Sequence, residues 1–291
     1  MVPSNVAMAV FGFPDAAPVW ESLAIEVRSI SQVAFHSRRF DLSKIVIGRQ
    51  FRGPPNSGNG GYVCGVLARG LDGPVTAMLR APPPLDADLD LEIRDGASTL
   101  TGDAGVLIGQ AGPASQDLPE PPPAPSLAAA REAGSRSIAL AQEVHPPCFT
   151  CSASREDGDA LRVLPGQLAG AEPGVVACVW TPHANFADAD GLVPSEIVWA
   201  ALDCPGIFAW LETHGRPGGL LGTMTGEVTG PVRAGEAYIV LAWPIEASGR
   251  KKVSGVALYD AAGRVLARGH QVWITLNRAP APAPAEAAAT A

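Results

Sequence analysis

The sequence predicts an α+β protein built from a duplicated unit, with one long helix lying against an antiparallel β-sheet in each copy. Three observations support this. Both halves run through a strand, a loop of small and polar residues, a helix with apolar residues in most of its turns, and several more strands. A proline- and alanine-rich stretch separates them. The 28 prolines and 32 glycines favour many turns and short strands.

These textures divide the chain into five parts. We predict an N-terminal extension at 1–40, a first half at 41–114, a linker at 115–144 with a short helix towards its end, a second half at 145–277 and a disordered tail at 278–291. After the first helix, APPPLDADLDLEI gives a proline turn and an alternating strand, and TGPVRAGEAYIVLAW is the matching stretch in the second half. Chance similarity of turns and strands is the alternative to duplication.

Composition excludes several classes of function. The net charge of −8, without a basic cluster, argues against nucleic-acid binding. No apolar run approaches the roughly 18–20 residues of a membrane span, and no secretory signal is recognisable. We therefore expect neither a transmembrane helix nor a signal peptide. Five scattered cysteines, an odd number, do not form a disulfide framework. We therefore expect a reduced, cytoplasmic protein.

The first helix begins at a glycine-rich turn, Asn59-Gly60-Gly61, with Ser57 just before it and Tyr62 just after. Glycines allow close backbone approach, and the first N–H groups of a helix have no intrahelical partner. Such a helix start can bind a carbonyl oxygen, a phosphate or a developing oxyanion. The alternative is a plain helix start with loose glycines.

At this point the sequence resembles a known family. FRGPPNSGNGGYVCGVLA, LRAPPPLDADL, CFTCSASREDGDALRV, VPSEIVWAALDCPGIFAW and GRVLARGHQVWITL are similar to segments of double-hotdog acyl-CoA thioesterases and their relatives, a thioesterase-like bacterial subgroup. The resemblance covers roughly residues 41–277. It implies a tandem (double) hotdog, each half a long central helix wrapped by an antiparallel β-sheet.

The resemblance also implies where a site should lie. In related thioesterases a turn at the start of the central helix polarises the thioester carbonyl, and an acid on the opposing helix acts as nucleophile or general base. Here the turn falls on Asn59-Gly60-Gly61 and the acid on Asp203. The other pairing, Ser195-Glu196 with Ala68-Arg69, lacks both features. We expect one composite catalytic site between the halves and one inactive counterpart.

Each candidate has a structural alternative. Asp203 lies in an apolar helix, where a carboxylate needs a partner, a raised pKa or a function, but it can also cap the turn at Pro205. Asn59 can orient water or bind the thioester oxygen, or it can adopt a left-handed turn. Weaker substrate-binding candidates, which are also ordinary core or surface residues, are Ser57, Tyr62, Thr223 and Thr225.

His145, Cys148 and Cys151 form H-x-x-C-x-x-C, which looks like part of a zinc site. A structural zinc needs four ligands, and no second Cys/His pair with suitable spacing follows. We therefore predict packed or unpaired thiols, no metal and no cofactor.

The resemblance implies a thioester hydrolase in which Asp203 activates water or attacks an acyl-CoA or acyl-carrier thioester, as a monomer or homodimer. One alternative is a hotdog hydratase or dehydratase, which would add a histidine to the acid. The other is a non-catalytic acyl-CoA, acyl-carrier or small-molecule binding protein.

Overall fold

A computed structural model describes residues 40–141, 147–214 and 219–275. Within these residues the dominant element is one antiparallel sheet of eleven strands. The strands are β1 (Phe40–Val46), β2 (Val75–Leu79), β3 (Asp88–Arg94), β4 (Ala97–Thr101), β5 (Leu107–Pro113), β6 (Gly166–Gln167), β7 (Val176–Trp180), β8 (Gly219–Val228), β9 (Tyr238–Ser248), β10 (Lys251–Tyr259) and β11 (Val265–Thr275). The predicted α+β class with an antiparallel sheet is confirmed.

The strand order contains one arrangement twice. Strands β1-β3-β4-β5-β2 fill one side of the sheet, and β7-β9-β10-β11-β8 fill the other in mirrored sequence, with β6 added at the edge. The two sets meet where β2 pairs with β8, from Val75 opposite Gly226 to Met78 opposite Thr223. In each set the helices α1 or α4 and α5 lie between the first and second strands along the chain.

Five α-helices accompany the sheet in the described residues: α1 (Gly60–Ala68), α2 (Leu127–Ser135), α3 (Ile138–Ala141), α4 (Ser195–Asp203) and α5 (Pro205–His214). The predicted single helix of the second half is two helices. Pro205 cannot donate a backbone hydrogen bond inside a helix, so α4 ends just before it and α5 begins there. Helices α1, α4 and α5 pack on one sheet face, where the main apolar core lies.

The stretch predicted as a linker packs against the opposite face. Ala130 and Ala133 of α2 are fully buried with Ile239 and Leu241 of β9, whose alternate neighbours point into the main core. The small alanine side chains of α2 allow the helix to pack closely on the sheet. The sequence prediction looked for large apolar residues and so did not identify α2 as part of a core. No described helix is long and apolar enough to cross a bilayer.

Candidate active site

Asn59 is the N-cap residue of helix α1, and its side chain caps the first turn. Asn59 Oδ1 accepts a hydrogen bond from the backbone N–H of Tyr62 at 2.9 Å, which satisfies one of the free donors of the first turn. Its φ of −64° excludes the left-handed turn considered from the sequence. The Asn59 Nδ2 group donates to Thr150 Oγ1 at 3.2 Å, and the side chain is 1% exposed.

Asp203 is the last residue of α4 and lies against the start of α1. A Cβ added at Gly61 would stand 2.6 Å from Asp203 Cβ and 2.6 Å from the Trp199 carbonyl oxygen. No side chain fits in that space, so only glycine allows the two helices to approach this closely. The sequence-predicted turn and acid, 142 positions apart by number (203 minus 61), are therefore in direct contact.

The environment of Asp203 raises its pKa. The carboxyl group is 3% exposed, and burial raises the pKa from 3.8 to about 7. The Gly61 N–H and the Asn59 side chain face it and favour its charged form, while the Cys148 thiol group disfavours that form. Among the described residues, Asp203 Oδ1 has no hydrogen-bond partner. An acid with a pKa near neutrality can exchange a proton with water at physiological pH.

The opposite end of the same helix pair is built differently. Helices α1 and α4 run antiparallel, so Glu196 at the start of α4 meets Arg69 just after α1, and the two side chains form an ion pair. Gly65 lets the helices touch there, since a Cβ on it would lie 2.5 Å from Glu196 Cα. At this end Glu196 is therefore paired with a cation, Arg69, whose side chain is half exposed.

No protein-family model and no curated protein matches the sequence. Solved structures do match. A candidate thioesterase of Novosphingobium aromaticivorans matches with a TM-score of 0.55 and 17% identity, over 84% of this chain and 100% of that one. A candidate thioesterase II of Thermobifida fusca matches with a TM-score of 0.51 and 16% identity, over 81% and 92%.

A tesB protein of Mycobacterium avium subspecies paratuberculosis also matches, with a TM-score of 0.51 and 13% identity, over 77% of this chain and 89% of that one. The chain has a thioesterase-like hotdog fold. The resemblance predicted from the sequence is thus confirmed for the fold. At these identities the likeness carries no residue roles and no substrate.

The weaker candidates on the first half lie around the turn. The Ser57 hydroxyl is buried and donates to the Gly58 carbonyl oxygen at 3.4 Å. Tyr62 is half-buried and stacks on Phe51, with ring centroids 4.2 Å apart. Both side chains contact the glycine turn or its neighbours, and their predicted substrate contacts stay predictions.

The two threonine candidates are not brought to Asp203. Thr225 Oγ1 lies 2.9 Å from Thr76 Oγ1 across the β2–β8 pair. Met224, the neighbour of Thr225, is on the other face, where its sulfur is 3.7 Å from Gln271 Nε2. Side chains alternate along a strand, so Thr225 and Thr223 point away from the end of α4. Periodicity had placed these threonines on a strand without deciding which face they occupy.

Sequence reasoning missed two residues that position Asp203. Gln271, fully buried on β11, donates through Nε2 to the carbonyl oxygens of Leu202 at 2.8 Å and Asp203 at 3.1 Å. It thereby satisfies backbone acceptors left free at the end of α4. Thr150 donates to the Ala200 carbonyl oxygen at 2.7 Å while accepting from Asn59, which links α4 to the start of α1. A polar residue at an inward strand position was the available signal for Gln271.

The H-x-x-C-x-x-C motif is described in part. His145 lies outside the described residues. Cys148 and Cys151 are each 2% exposed and belong to the turn that carries Thr150. Asn59 Nδ2 lies 3.9 Å from Cys148 Sγ, so these thiols border the candidate active site.

Proposed function

We propose that this protein is a thioester hydrolase of two tandem hotdog units, acting on acyl-CoA or acyl-carrier thioesters at one composite site between them. The repeated strand order, with helices inserted at the same point of each set, supports the tandem arrangement. The antiparallel contact of α1 with α4 supports a site that draws on both units.

The observation that carries the proposal is the contact between Asp203 and Gly61. It sets an acid of one helix against the positive end of another, where backbone donors are available. A buried, unpartnered carboxyl oxygen is costly to keep, and structural ion pairing does not explain it as it explains Glu196. The raised pKa of Asp203 agrees with work as a general base.

The chemistry divides between these groups. Asp203 accepts a proton from a water molecule, whose oxygen forms a bond to the thioester carbonyl carbon. The carbonyl oxygen becomes an oxyanion, which the Gly60 N–H at the first position of α1 stabilises. The Gly61 N–H, which faces Asp203, orients the acid. When the carbon–sulfur bond breaks, Asp203 returns the proton to the sulfur, and a carboxylic acid and a thiol are released.

Steady-state hydrolysis of a panel of acyl-CoAs of increasing chain length tests the proposal. We expect Asp203→Asn to lower kcat by about 10²- to 10⁴-fold, as loss of a general base does. Glu196→Gln, which changes the acid at the other end of α4, is the matched control and should turn over like the wild type. Full activity of Asp203→Asn would remove this residue from the mechanism.

A second candidate is a non-catalytic acyl-CoA or acyl-carrier binding protein. The 3% exposure of Asp203 favours it, because a substrate thioester must reach a carboxyl group that the fold covers. Tight binding of CoA esters, measured by calorimetry, without turnover of any panel member would establish this function and exclude the hydrolase.

A further inference from the structure

Three cysteines from distant parts of the chain meet beside the candidate active site. The Sγ atoms of Cys148, Cys151 and Cys204 all lie within 4.8 Å of one another, and those of Cys148 and Cys204 are 3.5 Å apart. Their exposed fractions are 2%, 2% and 6%. We call these three residues the thiol cluster. All three are free thiols.

Backbone hydrogen bonds fix the turn that carries two of the sulfurs. Cys148 Sγ accepts from the backbone N–H groups of Thr150 and Cys151, so the chain curls around this sulfur. The turn is anchored on both sides: Phe149 N–H donates to the Arg52 carbonyl oxygen at 2.7 Å, and Val163 N–H donates to that of Thr150 at 2.9 Å. Such outer contacts orient ligand atoms in metal sites.

The third sulfur lies at the junction of α4 and α5. The Cys204 carbonyl oxygen accepts from the N–H groups of Ile207 at 3.0 Å and Phe208 at 3.1 Å, so Cys204 caps the start of α5. Cys204 therefore lies at the N-terminus of a ten-residue helix, where the backbone holds it in place.

Ordinary packing does not require this arrangement. A buried free cysteine usually behaves as a small apolar residue. Cys64 and Cys178 are equally buried in this protein but lie outside the thiol cluster. Next to the cluster in sequence, Asp203 Oδ1 is buried without a partner among the described residues, an arrangement that a neighbouring cation would relieve.

We propose that Cys148, Cys151 and Cys204 supply three thiolate ligands to a thiophilic cation, Zn²⁺, whose fourth tetrahedral position is taken by a water molecule. A Zn–S bond of about 2.3 Å in tetrahedral geometry separates two sulfurs by about 3.8 Å, which lies within the range of the cluster. Soft thiolates select zinc over hard cations such as Mg²⁺. The site ties the 147–151 turn to the α4–α5 junction, so it stabilises the region from which Asp203 and Asn59 are positioned. Zinc binding at this site can be measured whether or not the protein hydrolyses thioesters.

Metal-free protein under a thiol-free reductant, titrated with Zn²⁺ and separately with Co²⁺, tests this site. We expect one bound Zn²⁺ per chain by elemental analysis, a higher Tm, and the ultraviolet charge-transfer band of cobalt–thiolate bonds with Co²⁺. Cys204→Ser should lose the tight stoichiometric binding and the Tm increase. Cys178→Ser, which removes a buried thiol outside the cluster, should keep both. Binding that survives in Cys204→Ser would overturn the proposal.

X-ray absorption of the zinc-loaded wild type decides the matter without any variant, in case Cys204→Ser fails to fold. We expect a shell of three sulfurs at about 2.3 Å. A shell of oxygen and nitrogen only would overturn the proposal, as would reduced, folded wild type that takes up neither metal.

Discussion

The two ends of the α1–α4 helix pair have similar backbone geometry but different charged groups. Each helix has nine residues, so positions can be matched by counting from the first residue. Position nine is Ala68 in α1 and Asp203 in α4, and position two is Gly61 in α1 and Glu196 in α4. Where Asp203 meets Gly61 the acid is buried, and no cation of the described residues forms an ion pair with it. Where Glu196 faces the end of α1, Arg69 pairs with it.

Under the proposed function, this difference assigns an ion pair to one end of the helix pair and the reacting acid to the other. An ion pair at a half-exposed position costs little and contributes little. A buried lone acid costs more, and a fold keeps it only where something offsets or uses it. We read the Asp203 end as the end retained for chemistry. The experiments below test this reading, from the largest expected effect to the smallest.

The largest effect concerns stability against pH in metal-free protein kept in chelator. Asp203 has a pKa of about 7 when folded and 3.8 ordinarily, so between about pH 4 and 7 the unfolded chain releases a proton that the folded chain keeps. The stabilising contribution is present at low pH and is lost as pH rises through 7. Urea unfolding should show Asp203→Asn gaining up to about 4 kcal/mol over wild type from pH 4 to 8.5.

Glu196→Gln, measured over the same range, should show no such gain. Parallel pH curves for wild type and Asp203→Asn would mean that burial does not hold the Asp203 proton in the folded state. The two ends of the helix pair would then differ only in that Glu196 has Arg69 as an ion-pair partner.

A middle-sized effect is expected at the cap of α1. Asn59→Ala removes the acceptor for Tyr62 N–H and the buried link to Thr150, and should lower the free energy of unfolding by about 1–2 kcal/mol. Ser126 caps α2 with a similar hydrogen bond, to Ala129 N–H at 3.1 Å, in an exposed position. Ser126→Ala should therefore cost about 0.5–1 kcal/mol in the same urea titration. Equal losses would indicate that Asn59 is only a cap.

Much of the fold could be predicted from the sequence because the residue patterns of single strands and turns agree with the final structure. Alternating residues gave β3, and the turn before Gly60 gave the start of α1. A short helix was predicted at the end of the linker stretch, but its packing on the sheet was not, since Ala130 and Ala133 become core residues only when a sheet face lies against them. The prediction of one helix in the second half was wrong at Pro205, whose helix-breaking effect outweighed the continuous apolar pattern.

The residues of the candidate site could be predicted only from the family resemblance. It named Asp203 and the Asn59-Gly60-Gly61 turn, which the structure places in contact. It could not supply Cys204 as a companion of Cys148 and Cys151, because 53 positions separate Cys204 from Cys151 and spacing rules for metal sites apply within short segments. The resemblance also did not point to Gln271. This residue reaches the end of α4 only through the pairing of β11 with β8, which the sequence does not reveal.

The smallest effect is expected at Arg69. Its side chain is 49% exposed, so solvent screens the attraction to Glu196, and Arg69→Ala should lower the free energy of unfolding by less than about 1 kcal/mol. The loss should shrink further at high salt, because screening weakens exposed pairs. Acyl-CoA turnover should stay at the wild-type rate, since the proposed mechanism takes no group from this end. If Arg69→Ala abolished turnover while the protein remained folded, the Glu196 end would take part in catalysis, and the division of roles between the two ends would be wrong.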